Sequence, residues 1–575
     1  MKLTVSKSKN SESFYISKSY IDSTGKSTTA TVRKLGTLAD LIIEHGPTRD
    51  DVVAWCRSEV AAETQKYKLA KKARSVQIVF NADKEMDYSQ RRLFEGGYLF
   101  PQAVYYKLQL DKICKKLRRH HLYEYDLNAI LSDLIYNRIL DPRSKLSAYK
   151  AAQSYLESPT YEIHDVYRAL SVLASESDFI QSEVFKNSNY FGKRNDRILY
   201  YDCSNFYFEI EQEDGEKKYG KSKEHRPNPI VQMGLFIDGD GIPLAFSIFP
   251  GNQNEQTSLK PLESKILQQF GHDKFIYCSD AGLGSTVNRK FNHIGERAFI
   301  VTQSIKKLDA ENKELALNKK DFKRLSDRKV VSPEEMEADD SDELYYKEIP
   351  YISGDVDQLL IVTYSPKYAA YQKAIRTAQV ERASSMVKKG KLKKNRKNPN
   401  DPARFIGKDA CTKDGEVAEI HYYLDESKIL EEAKYDGLYA ICTDLIDDDI
   451  KNILNVSEGR WQIEECFRIM KTDFSARPVY VRRDDRIQAH FLICFLSLLI
   501  YRLLERQLDN KYTCEEILSK LKSMKFADIK GQGYMPTYIR DKLTDDLHAA
   551  CGFMTSYDFI TKADMRSIEK ASKQR

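Results

Sequence analysis

The stretch 197–280 opens on Arg197-Ile-Leu-Tyr-Tyr-Asp202, continues through Ile230-Val-Gln-Met-Gly-Leu-Phe-Ile237 and Ile242-Pro-Leu-Ala-Phe-Ser-Ile-Phe249, and closes on Lys274-Phe-Ile-Tyr-Cys-Ser-Asp280. Short apolar runs rich in β-branched and aromatic residues, bounded by turn formers, read as strands. Asp238-Gly-Asp-Gly241 between the second and third runs is a tight hairpin signal. A helical pattern from Asn254 to Phe270 separates the third run from the fourth, and a further helix precedes a strand over Arg297 to Thr302. The order is therefore three antiparallel strands followed by β-α units.

That is the order of a ribonuclease-H-like sheet, in which the first and fourth strands are neighbours. It predicts that Asp202, capping the first strand, and Asp280, just past the fourth, emerge together at one sheet end. Glu464 on a later helix, predicted over Asn455 to Phe474, completes a set of three acids. Hard divalent cations take oxygen ligands, and two of them stabilise the attacking and leaving oxygens of an in-line phosphoryl displacement. Aspartate is also a common turn residue at strand ends, so either aspartate alone has an ordinary structural explanation. The pair in this strand order points to chemistry.

Outward from this core, the 575 residues are too many for one hydrophobic core, and two to four domains is the general expectation. Residues 1–102 read as an N-terminal α+β region with a hairpin around Ser23-Thr24-Gly25-Lys26. Residues 103–195 read as helical, with Asp126 and Asp165 at helix starts. With Arg118-Arg119-His120-His121, this region has the composition either of a DNA-end-binding module or of a solvated helix end. The core runs over 196–304 and resumes over 436–510, split by an inserted subdomain at 305–435, and 511–575 reads as a helical C-terminal region. The expected class is α/β: a ribonuclease-H-like catalytic core interrupted by an inserted subdomain, with helical N- and C-terminal regions.

Composition narrows the classes of function. Net charge is only +6, with 91 basic residues against 85 acidic ones, so a basic signal must lie in local distribution. It does so at Lys388, Lys389, Lys391, Lys393 and Lys394, a run suited to phosphate neutralisation, although a solvated loop has the same composition. Ten cysteines stand singly with no C-x-x-C pair, which predicts reduced thiols and argues against zinc or a disulfide framework. Met1 to Tyr20 has no apolar signal-peptide core, and the apolar run Phe491 to Tyr501 is too short to cross a bilayer, so a cytoplasmic protein is expected. Gly215-Glu-Lys-Lys-Tyr-Gly-Lys-Ser222 matches the letters of a P-loop. Acidic residues precede it and Pro227 and Pro229 follow, so neither the buried strand nor the helix of a nucleotide site is available.

The late helix carries Ser457-Glu-Gly-Arg460-Trp-Gln-Ile-Glu464-Glu-Cys-Phe-Arg-Ile-Met-Lys471. Arg460, Glu464 and Lys471 match the Tyr-x2-Arg-x3-Glu-x6-Lys signature of bacterial insertion-sequence transposases of the IS-four superfamily, which this chain resembles; the tyrosine position holds Ser457. Tyr200-Tyr-Asp202, Gly220 to Asn228, Pro250-Gly-Asn252 and Asp280-Ala-Gly282 resemble the same family. The resemblance covers about 196–505. It implies a DDE catalytic core with two Mg²⁺ (or Mn²⁺) ions on Asp202, Asp280 and Glu464, and Arg460 and Lys471 on DNA phosphates. It further implies a homodimer synapsing the element's terminal inverted repeats and joining them to target DNA, in a bacterial, nucleoid-associated setting without a membrane. An aromatic of the insertion stacks on a flipped base in that family; the only tryptophans here are Trp55 and Trp461, so a Tyr or Phe would serve. On a regular helix Glu464 and Lys471 fall about 40° and 20° from Arg460, with Glu465 at about 140°. Glu464 is therefore the expected ligand. The activity implied is metal-dependent cleavage at element ends and transfer of the freed 3′-OH; the alternative is a transposase-derived DNA-binding protein that no longer cuts.

Overall fold

The computed structural model describes residues 1–8, 11–21, 27–72, 76–339, 341–389, 400–410 and 420–574. It divides the chain into two compact units, Met1–Gln90 and Arg91–Arg575. In the first, strands Lys2–Ser8, Ser11–Ile21 and Ser27–Thr37 form an antiparallel sheet, followed by helices Leu38–His45 and Arg49–Lys72. Phe14, Leu41, Val52 and Cys56 are its core. The two strands of the expected hairpin pair, and its turn, Ser23 to Lys26, lies outside the described residues.

The second unit is built on one nine-stranded sheet. Its strands are β1 (Ile198–Tyr207), β2 (Ile230–Asp238), β3 (Pro243–Pro250), β4 (Ile276–Ser279), β5 (Ala298–Thr302), β6 (Lys323–Arg324), β7 (Tyr345–Ile352), β8 (Asp357–Tyr364) and β9 (Leu438–Thr443). Their spatial order is β6-β7-β8-β9-β5-β4-β1-β2-β3. β1, β2 and β3 are antiparallel neighbours, while β1–β4 and β4–β5 are parallel. The last five strands in this order thus have the arrangement the sequence predicts.

Alternation along β1 separates the two faces of the sheet, as a period of two requires. Tyr200 and Phe206 enter one core, while Leu199, Tyr201 and Cys203 enter the other. The first face is covered by the later apolar helix (Asp484–Gln507), on which α1 (Leu127–Leu140) packs, and α2 (Lys145–Ala152) packs in turn on α1. That later helix is long and apolar enough to cross a membrane, but 94% of its apolar window is buried inside the fold, with Phe491 edge-on to Phe206 at 4.9 Å. The opposite face is covered by α3 (Glu255–Lys265), whose Ser258 hydroxyl lies 2.6 Å from that of Tyr201.

Several expectations are corrected. Asp202 does not end its strand, because β1 continues to Tyr207 along β2. The segment 305–435 is only partly separate: β8 pairs with β9 and extends the central sheet through β7 and β6, whereas Ile406–Ala410 and Ile420–Leu424 pair as a two-stranded sheet of their own. The C-terminal region carries helices Cys514–Ser523, Lys542–Cys551 and Lys562–Ser572, but also strands Lys525–Ile529, Gly533–Pro536 and Ile560–Thr561, in a small sheet with Leu93–Glu95. Runs of two to five residues are too short to show periodicity, and this sheet depends on a distant segment: Gly96 leaves room for the Phe526 ring, which a Cβ would meet at 1.8 Å. Among the described residues nine cysteines are free and eight of these are buried. The P-loop-like stretch is a connection between β1 and β2, where Lys217 is buried and donates to the Arg482 carbonyl at 2.6 Å.

Candidate functional site: an acidic sheet end and the helix clamped over it

Parallel pairing of β1 with β4 ends at Tyr200–Cys278. Asp202 and Asp280 each lie two residues beyond that pair (200 + 2 and 278 + 2), so they continue the same row. β4 stops at Ser279 and opens that side of β1, leaving Asp202 and Asp280 half-buried. Asp202 Oδ1 accepts from the Cys203 N–H at 2.7 Å. Asp280 Oδ1 accepts from the amides of Gly282 (2.9 Å) and Leu283 (3.1 Å), which fixes its turn. Burial holds the Asp202 carboxyl up at about 6; Asp280 and Glu255 push the same way, and Lys223 opposes them.

The helix expected over Asn455 to Phe474 is broken twice. α5 (Ile450–Glu458) ends at a turn, α6 (Trp461–Arg468) follows, and Ile469–Asp473 is a π-turn. The first break has a specific cause. The Tyr200 hydroxyl donates to the Val456 carbonyl at 2.9 Å, and the Arg460 N–H, which an unbroken helix would direct there, bonds Ser457 O instead. Gly459 permits this approach, since a Cβ there would lie 2.2 Å from the Tyr200 oxygen. At the other end Lys471, within the π-turn, donates to the Ser204 hydroxyl. Tyr200, Asp202 and Ser204 alternate on one face of β1, so the two anchors bracket Asp202 on the strand and Glu464 on the helix.

The breaks distort the regular wheel, yet the two basic residues both reach the aspartate-bearing strands. Lys471 meets β1, and Arg460 lies near enough to Cys278 of β4 to oppose the rise to about 12 that burial imposes on that thiol. Burial lowers the Lys471 amine to about 8, with Lys223 acting the same way and Asp202 opposing. Glu464 is exposed, whereas Glu465 is engaged by Arg468 through two bonds of 2.7 Å. Among the described residues no three His, Cys, Asp or Glu side chains stand close enough together to hold a metal ion. The acidic oxygens themselves suit a hard divalent cation, and two like charges in one row are a pair that such a cation would relieve.

Lys223 is the residue that sequence reasoning missed. Its amine donates to the Cys203 carbonyl, stands 3.7 Å from Glu255 and acts on both Asp202 and Asp280. The available signal was its place inside the Gly220–Asn228 motif. Lys388 and Lys389 end α4 (Pro366–Lys389), and Lys391, Lys393 and Lys394 lie outside the described residues. Beside Asp280, a cavity of 510 Å³ is lined by Ala281, Lys306, Arg376 and the aromatic rings of Tyr368, Tyr371 and Tyr435. Tyr368 and Tyr371 stack with centroids 6.2 Å apart, and both are exposed.

The transposase DDE domain family matches residues 194–500, which is 307 of the 575 residues (500 − 194 + 1). The chain belongs to that family. DDE transposases generally use divalent metal ions, and their domain implies phosphoryl transfer where the acids are retained. Among solved structures, the chain is similar to piggyBac transposase in a cryo-EM synaptic complex with hairpin DNA, at 8% identity, with a TM-score of 0.36 and coverage of 85% of this chain and 88% of that one. That likeness is too slight to carry an argument. No curated protein matches the chain.

Proposed function

We propose that the chain is an active DNA transposase of the IS-four branch, cleaving strands at the ends of its element and joining the freed 3′-OH to target DNA. The observation that carries this reading is the shared row of Asp202 and Asp280 beneath a helix that bears Glu464 and is anchored on both sides of it. Asp202, Asp280 and Glu464 would hold two divalent ions, Mg²⁺ or Mn²⁺, which supply charge neutralisation to the attacking and leaving oxygens. Arg460 and Lys471 present positive charge to the phosphates of the element end, and Lys223 steadies the Asp202 strand from the loop side. Tyr368 and Tyr371, exposed and lining the cavity beside Asp280, would supply the insertion aromatic that stacks on a flipped base. Terminal inverted repeats and target DNA are the substrates, handled by a homodimer.

A second reading, a transposase descendant that binds DNA without cutting it, is favoured by the absence of a metal-holding trio among the described residues. Like-charged carboxylates with no counter-ion repel, however, which accounts for an open arrangement in a protein that cuts. Labelled DNA from the regions flanking the gene, incubated with the protein and Mg²⁺, separates the two readings: nicks at inverted repeats support transposition, and binding without nicks supports the descendant.

A further inference from the structure

Away from the acids, a cavity of 460 Å³ opens between the start of α2 and the segment that follows the π-turn. Its wall carries Arg138, Arg143, Lys145 and Arg477 and contains no aspartate or glutamate. Arg143 and Arg477 are paired elsewhere, with Asp141 at 2.8 Å and with Glu224. Among the described residues Arg138 and Lys145 have no such partner. Lys145 is only 6% exposed and makes no hydrogen bond or ion pair among the described residues, although it faces the cavity. Arg138 is equally buried and donates through Nη1 to the carbonyls of Phe474 (2.9 Å) and Ser475 (3.2 Å), while its Nε has no partner.

Two adjacent buried cations with no carboxylate are costly, and proteins retain such groups where a counter-charge arrives. Burial draws the Lys145 amine down to about 7, and Arg138 acts in the same direction. Of its other ionisable neighbours, the Cys494 thiol is pushed up by burial, and His490 is held neutral by burial and by these two cations and bonds Ala476 O at 3.0 Å. Ser144 and Ser147 add hydroxyls at the positive end of α2. The wall segment Ser475–Val481 follows directly on the π-turn of Lys471, and Arg477 pairs with Glu224, the neighbour of Lys223.

The geometry points to a phosphate-binding pocket in which Lys145 and Arg138 take a backbone phosphodiester of DNA, one that continues past the acidic site. This rests on the reading that the chain handles DNA. Inorganic phosphate is the probe for the pocket itself and duplex DNA the probe for its natural occupant. The full chain should gain melting temperature as inorganic phosphate is added at constant ionic strength. Lys145→Met, close in volume, should melt higher than wild type without phosphate and respond to it no further. The same variant should bind duplex DNA about tenfold more weakly whatever the sequence, and lower the slope of log affinity against log salt by about 1. Equal phosphate responses in wild type and Lys145→Met would overturn the pocket. A lost phosphate response with an unchanged DNA salt slope would overturn DNA as its occupant. Failure of the wild type to cut flanking DNA would sink the transposase reading alone, because the phosphate arm needs no cleavage.

Discussion

The Tyr200 hydroxyl and the Val456 carbonyl, 2.9 Å apart, fix where the helix bearing Glu464 breaks. Tyr200→Phe removes only that bond and should cost about 1 kcal/mol of stability, read from urea denaturation. The cost to strand cleavage should be larger, because the helix is freed to close its own ladder and re-aim Glu464. Gly459→Ala forces a methyl against the same oxygen and should lower cleavage further. Unchanged cleavage in both variants would remove the clamp from the account.

Asp202 gives a signed dependence on pH. Its carboxyl is raised from 3.8 to about 6, chiefly by burial, so it binds a proton more tightly in the fold than in the open chain. Its contribution to stability is therefore full below 3.8 and lost as pH rises through about 6. Without divalent ions, Asp202→Asn should melt about 1–3 °C above wild type at pH 7.5 or so, with the gain vanishing near pH 4 or so. Calorimetry across that range checks it; a variant melting below wild type at the upper pH contradicts it.

Glu464 and Glu465 should separate in a cleavage assay. Glu465 is committed to Arg468 at the surface, and Glu465→Gln should cost no more than about 1 kcal/mol and leave most activity. Glu464→Gln should stop Mg²⁺-dependent cleavage while the fold, followed by circular dichroism, is unchanged. The reverse result would shift the register of the whole helix.

The lysine run from Lys388 to Lys394 should act on DNA without sequence preference. Replacing Lys388, Lys389, Lys391, Lys393 and Lys394 with Gln should weaken all duplexes alike and flatten the salt slope by up to about 0.9 per lost phosphate contact. An unaltered slope returns the run to a solvated surface.

Much of the core was legible because its strands are short apolar runs with turns between them. The neighbouring of β1 and β4 followed from reading that strand order as a ribonuclease-H-like sheet. Four features were not legible, and each depends on contacts beyond its own segment. Asp202 looked like a strand end because the apolar run stops at Tyr201, yet pairing with β2 carries the strand on to Tyr207. The helix over Asn455 to Phe474 looked continuous because its own residues favour one, and the break comes from a tyrosine 256 residues away. The segment 305–435 looked like a separate insertion because nothing local says that β8 pairs with β9 and joins the central sheet. Lys223 went unassigned for the same reason: its partners lie on β1, beyond the loop that holds it.

Under the proposed transposase reading, Asp202 and Asp280 are needed for cutting and dispensable for holding DNA. The most direct test is single-turnover cleavage of labelled element-end DNA with Mg²⁺, using wild type, Asp202→Asn and Asp280→Asn at protein concentrations that saturate binding. Wild type should nick at the end, both variants should bind within about threefold of wild type, and each should lose cleavage by at least about a thousandfold, on the scale of losing an electrostatic stabiliser of the transition state. Cleavage by Asp202→Asn at the wild-type rate would contradict it.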